Sequence, residues 1–396
     1  MVFYHRKFKI SLVIITVLWI LLPMQAEATN NAIDADALEK GNGIAVDEVF
    51  DTYHMQDMEE ELDTLFPDMD ISLKEIFTSI FMGEIENTFD YFIDNIWKLF
   101  AGELSEFKSV FVLVLSLGII SALFTNFMDI FENHQIADIS FYFAYMLLMT
   151  ILLRIFEAVS NVASEALENL LVFMKLLIPS YFTAVSVAAG TTTAYVFYRL
   201  MLILIYGIEY VLSEAMLPFI YTYTFLSIVN GLWIEERLTT ILELIQKGVA
   251  YALKTILTVI SGISVLQAMI TPVIDSVKIA TLQKAVSVIP GIGNFANGVS
   301  ELVIGSAVLI KNSIGVLMII VLLILCMVPL VKLVTVSGLL KGSAAFVGVI
   351  CDKRMTNCID RIGDATWMLL RMTMTAMILF IITIAIVVCS TNRGVV

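Results

Sequence analysis

The chain carries little charge for its length. Of its 396 residues only 15% are Asp, Glu, Lys or Arg, while 59% are apolar. A soluble fold has roughly 25% charged and about 45–50% apolar residues. More apolar side chain is present here than an interior can hide, so lipid must cover part of it. Histidine is scarce as well: His5, His54 and His134 are scattered and form no metal cluster. Four cysteines make no disulfide framework. Cys326 and Cys389 lie in apolar stretches and read as small hydrophobes, and the six residues between Cys351 and Cys358 are not a zinc spacing. No basic patch exists, which excludes nucleic-acid binding. No nucleophile–base pair or paired carboxylates stand out, and Gly291-Ile292-Gly293 lacks the Gly-Lys-Ser/Thr of a P-loop. The expectation is a protein that is not an enzyme and uses no cofactor or metal.

The charge that is present is unevenly placed. The net −14 arises in residues 29–106, which carry −17 from twenty Asp/Glu against Lys40, Lys74 and Lys98. Residues 107–396 hold sixteen acids and seventeen bases, so the remainder is almost neutral. Ahead of both stands a secretory-type leader: His5, Arg6, Lys7 and Lys9, then apolar Ile10 to Leu22, then Pro23 and the Ala26-Glu27-Ala28 pattern suited to cleavage after Ala28. Thirteen apolar residues are short for a span, and an uncleaved anchor is the alternative. The chain thus reads as three regions: a signal peptide at 1–28, an acidic exported segment at 29–106, and a membrane domain at 107–396.

The exported segment begins as a polar lead-in, with a helix expected near Val46 to Leu62. Ser72 and Glu75 then make a capping box. Behind it Leu73, Ile76, Phe77, Ile80 and Phe81 follow the helical stripe, and a second stripe runs from Ile85 through Phe89, Phe92, Ile93, Ile96 and Phe100 to Phe107. Both helices are aromatic on one face and acidic on the other. They either pack on each other or dock at the membrane interface or on a partner, and their acidity favours protein over anionic lipid.

Apolar runs recur at about 109–127, 139–157, 170–190, 194–213, 215–234, 255–274, 312–336 and 367–390. Four of these runs carry long uncharged stretches of twenty residues or more: 215–234, 255–274, 312–331 and 372–392. Twenty residues at about 1.5 Å each cross a hydrocarbon layer of about 30 Å. The fold class is therefore an all-α polytopic membrane protein, with seven or eight spans after the signal. The stretch 337–364 carries Lys341, Lys353, Arg354 and Arg361, which marks it as cytoplasmic. Seven crossings from an exported residue 29 put it there too, although loop 128–138 has Asp129, Glu132 and Asp138 and no base.

Two segments interrupt the pattern. Thr271-Pro272 ends one run, and Pro290, Gly291, Gly293, Asn294 and Gly298 supply backbone suited to a re-entrant hairpin within 271–311, or to an external loop with a short amphipathic helix. Pro179, inside 170–190, is a candidate helix break. Lys175, Arg199, Glu209 and Lys332 lie within apolar runs. A charge in hydrocarbon is costly, so these four either pair internally, Arg199 with Glu209 for example, or line a pathway. Two broken segments with inner charges leave open a secondary transporter or small-solute channel.

The stretch Leu177-Ile178-Pro179-Ser180-Tyr181-Phe182-Thr183-Ala184-Val185, and the one from Val288 through Pro290-Gly291-Ile292-Gly293-Asn294 to Lys311-Asn312, resemble the stage III sporulation protein AE family. The likeness extends over nearly the whole chain. It implies an endospore-forming bacterium and a multi-pass protein of the mother-cell-derived outer forespore membrane. The implied role is an export-apparatus-like core of the channel complex that links mother cell and forespore. The implied partners are the other proteins of the stage III sporulation A operon, including a cytoplasmic secretion-type ATPase and ring-forming proteins, and stage II sporulation protein Q across the gap. The family contributes no catalytic residues.

Overall fold

The computed structural model describes residues 72–82, 111–123, 134–233, 237–270 and 293–392, with scattered positions among 50–60 and 101–109. The chain divides into two compact units, 1–52 and 53–396, and the helical body belongs to the second. Every regular element among the described residues is helical, and none is a strand.

Helix α1 (Leu73–Met82) starts where the sequence places a cap: the Glu75 N–H donates to Ser72 Oγ at 3.3 Å. Its apolar stripe is spent on the membrane domain. Leu73 and Phe77 are fully buried, and α1 packs against the long helix at residues 293–347. The second aromatic stripe, at 85–107, lies largely outside the described residues. Helix α2 (Phe111–Leu123) is a shorter apolar helix.

Beyond α2 the helices become long rods. Helix α3 (His134–Ala189) is a single 56-residue helix. It ends at Gly190, whose φ of 99° lies in a region that residues with a Cβ rarely adopt. Helix α4 (Thr191–Glu209) then runs through a π segment (Tyr210–Met216) into α5 (Leu217–Asn230) as one rod. The π register has a local cause. Pro218 has no N–H for a carbonyl one turn earlier, and the wider turn just before it accommodates the loss. Helix α6 (Thr239–Ile270) comes next, then α7 (Gly293–Val347) and α8 (Lys353–Asn392).

Five helices of the described residues are long and apolar enough to cross a membrane, in place of the seven or eight spans expected. The difference lies in two mergers and in α2, which counts only as a shorter apolar helix. The runs 139–157 and 170–190 are both on α3, because residues 158–169 contain no Gly or Pro and several strong helix formers. The runs 194–213 and 215–234 share the α4–α5 rod, where the π segment absorbs Pro218. Pro179 is likewise no break, since α3 continues through it to Ala189. One missing backbone bond is outweighed where Ile178, Tyr181 and Phe182 around it are buried. At the other irregular segment, Gly293, Asn294 and Gly298 are helical residues at the start of α7, which corrects the irregular backbone expected of them. A glycine in a helix costs only about 1 kcal/mol. Pro290 and Gly291 lie outside the described residues.

The rods form two long antiparallel hairpins. In the first, Tyr145 donates to the Ile228 carbonyl at 2.7 Å, Ser160 donates to the Tyr221 hydroxyl at 2.7 Å, and the Phe182 and Tyr198 rings meet edge-on near Gly190. In the second, Lys311 faces Thr391, Gly315 faces Val388, Ser337 donates to the Gly363 carbonyl, and Lys341 meets Asp360. α7 packs against α3 and α8, and α6 lies against α5 and α8. The turn from α7 to α8 is closed by Asp352, whose carboxylate accepts from the Arg354 N–H at 2.8 Å as an N-cap. α2 packs on this turn: Phe111 meets Phe346, and Cys351 donates to the Gly118 carbonyl.

Candidate functional site

The charges expected inside the apolar runs fall at separate levels of the bundle. Near its middle, Lys175 of α3 binds Glu209 of α4 at 3.2 Å and lies over the Tyr206 ring. Glu209 is the residue before the π segment, so the pair ties α3 to the point where the helical register changes. Arg199 does not reach Glu209. The two are ten residues apart on one rod and face different ways. Arg199 instead stacks on Tyr195, one turn nearer Gly190. Lys332 lies partly exposed on α7.

The Lys175 and Glu209 side chains are each 38% exposed, so the pair contributes on the order of 0.2–1 kcal/mol. Lys175→Glu should lower the thermal midpoint of the detergent-purified chain by setting two carboxylates side by side. Adding Glu209→Lys should restore it, and a swap without recovery would show that the pairing is not what matters.

Two polar clusters are not evident from the sequence alone. At the Gly190 end, Lys311 is wholly buried and donates to Thr391 Oγ1 at 2.9 Å, with the buried Tyr181 hydroxyl and Cys389 close by. Lys311 borders the uncharged run 312–331, where a flanking charge is unremarked. At the opposite end, Lys341 lies between Asp360 and Asp364, at 2.8 Å from each. The pattern of these residues suggests a polar loop, yet α7 runs to Val347 and α8 begins at Lys353. The available signal is the four-residue spacing of Asp360 and Asp364, which sets both carboxylates on one helix face. Nearby, Arg361 donates to Thr239 Oγ1 at 3.1 Å.

The α7–α8 turn is electrostatically settled. Burial alone would raise the Asp352 carboxyl, but hydrogen bonds and charge from Arg354 outweigh it and hold the group below the usual carboxylate range. Burial pushes the Cys351 thiol up, so it stays a neutral donor to Gly118. None of the four cysteines is in a disulfide. Among the described residues, no three His, Cys, Asp or Glu side chains converge as metal ligands do.

The arrangement offers internal ion pairs and helix-to-helix contacts, as a structural membrane body would. A relative named stage III sporulation protein AE, from Bacillus subtilis (strain 168), is 22% identical over 295 residues, 74% of either chain. No solved structure matches. The family model for stage III sporulation protein AE matches residues 71–391, from the cap of α1 to the last turn of α8. The chain, a multi-pass all-α membrane protein, therefore belongs to the stage III sporulation protein AE family.

Proposed function

We propose that this stage III sporulation protein is a structural membrane component of the channel complex between mother cell and forespore. In that role it sits in the outer forespore membrane, with its acidic N-terminal segment outside the mother-cell cytoplasm. The observation that carries the reading is where the family match begins. It starts at residue 71, beside the Ser72 cap, so α1 belongs to the unit that family members share. α1 turns its apolar face to α7 and leaves Lys74 and Glu75 exposed. A helix held in this way can hand on contacts from an acidic segment to a membrane body. The leader at 1–28 supports export of that segment.

Partners of this reading are the bilayer, the other proteins of the stage III sporulation A operon, and stage II sporulation protein Q on the far side of the gap. The transporter alternative drew on two broken helices and inner charges. α3 runs unbroken through Pro179, α7 is helical from Gly293, and Lys175 is bound to Glu209, so nothing among the described residues favours it. Deleting residues 72–106 should abolish assembly of the complex in sporulating cells while the body still inserts in the membrane. Normal assembly of the truncated chain would sink the proposal.

A further inference from the structure

Four of the five apolar rods are far longer than a bilayer is thick. α8 has no proline, and its 39 residues from Lys353 to Thr391 measure about 59 Å. Holding that rod within a hydrocarbon layer of about 30 Å needs a tilt of about 60°, whereas spans tilt by roughly 0–40°. Part of each long rod must lie outside lipid, and the placement of charge indicates which part.

The hairpin contacts give the common register. Lys311, Thr391 and Tyr181 meet at the Gly190 end. Further along, Phe197, Met201, Ser264, Thr383 and Val387 line one narrow crevice, which brings α4, α6 and α8 to the same level. In this half the uncharged stretches 255–270, 312–331 and 372–391 run side by side, and 176–198 turns at Gly190 beside their outer part. Twenty residues of α7 and twenty of α8 each match the hydrocarbon thickness at about 1.5 Å per residue. The charges of α3 and α4 at this level are satisfied locally: Lys175 and Glu209 bind each other, and Arg199 stacks on Tyr195 towards the Gly190 face, as a snorkelling side chain requires.

The other half has charge at every level. On α3, Arg154, Glu157, Glu165 and Glu168 form an exposed stripe at helical spacing. α6 carries the exposed Glu243–Lys247 pair, and Lys341, Asp360 and Asp364 remain partly open to solvent. α3 does expose a second apolar patch at Ile139, Phe143 and Met146. The charged stripe of α3 lies between that patch and the zone beginning at 176, so one bilayer cannot cover both.

We propose that the bilayer surrounds only the Gly190 half of the body, and that the half bearing α2, the charged stripe of α3 and the α7–α8 turn stands clear of the hydrocarbon on one side of the membrane. Four crossings (α3, α4, α6 and α7) then separate the start of α3 from the α7–α8 turn. This even number among the described residues agrees with the direct contacts of Phe111 with Phe346 and of Cys351 with Gly118, which set α2 and the turn in one compartment. With α2 clear of the hydrocarbon the chain does not cross there, which differs from the seven crossings that would set an exported residue 29 and the turn on opposite sides. Two of the four cations of 337–364 are held in ion pairs, Lys341 by Asp360 and Asp364 and Arg354 by Asp352.

The inference does not depend on the sporulation complex. Its test uses the full chain without its four native cysteines, expressed in growing cells, with single cysteines placed by substitution. In opened membranes, a membrane-impermeant maleimide should label Glu165→Cys, Phe143→Cys and Val349→Cys and leave Val187→Cys and Ile203→Cys unlabelled. In intact protoplasts, Lys108→Cys and Val349→Cys should either both label or both fail to label. Met146→Cys and Tyr195→Cys replace any variant that does not reach the membrane. Protection of Phe143→Cys with labelling of Val187→Cys, or labelling of Lys108→Cys and Val349→Cys from opposite sides, would overturn the proposal.

Discussion

Replacing Gly315 by Leu should destabilise the body by about 3 kcal/mol, the upper range for overpacking a close-packed site. A Cβ at this position would run into Cγ2 of Val388 and come within 3.5 Å of the Tyr181 ring. α3, α7 and α8 meet there, so relieving the overlap means parting helices rather than turning one side chain. The wholly buried Lys311 lies one turn away and donates to Thr391, and a displaced α8 would weaken that bond too. The measurement is the thermal midpoint of the detergent-purified chain. Gly315→Ala should cost less, because its smaller overlap is partly offset by the better helix propensity of Ala. Val388→Ala, which removes the methyl in the way, should recover much of the loss in the Leu variant. An unchanged midpoint for Gly315→Leu would mean that α7 and α8 do not approach here.

The second large effect concerns α1. Phe77 has no exposed surface, and burying an aromatic side chain of this size stabilises docking by about 1.5–3 kcal/mol. Phe77→Asp removes that contribution and would place a carboxylate among apolar side chains, where an unpaired charge is not tolerated. A ten-residue helix is marginal in water without tertiary contacts, so release from α7 should also unfold it. Limited proteolysis of membrane vesicles should cut the variant within residues 72–82 while leaving the wild-type chain intact there. Equal protection of both chains would contradict the docked arrangement. Leu73→Asp, on the same buried face, should behave alike, whereas Lys74→Asp on the exposed face should not.

Much of the architecture is legible in local pattern, and the limits are physical. The Ser72–Glu75 cap is legible because both partners lie within one turn of chain. The apolar runs mark helices because composition and length alone decide that in lipid. The mergers into long rods are not legible. Residues 158–169 are polar enough to resemble a loop, yet they contain no residue that stops a helix, and packing of Ala163, Ala166 and Leu167 on neighbouring rods decides the matter. Pro179 and Gly293 mislead for the reverse reason: each lowers local helix propensity, and tertiary contact overrides a cost of a few kcal/mol or less. Among the inner charges, the sequence marks Lys175 and Glu209 but cannot pair them. They are thirty-four residues apart, and only the antiparallel hairpin turned at Gly190 brings them together. Lys341 with Asp360 and Asp364 escapes a sequence reading because the helix ends on both sides of the turn look like loop.

A membrane body built on buried helix contacts and internal ion pairs, with an acidic segment fastened to it through α1, is suited to assembly with other proteins. That role is tested most directly by affinity purification of the tagged full chain from membranes of sporulating cells, with the co-purifying proteins identified by mass spectrometry. The expected result is recovery of other stage III sporulation proteins with the intact chain and their loss with the chain lacking residues 72–106. Purification of the intact, inserted chain with none of them would contradict the account.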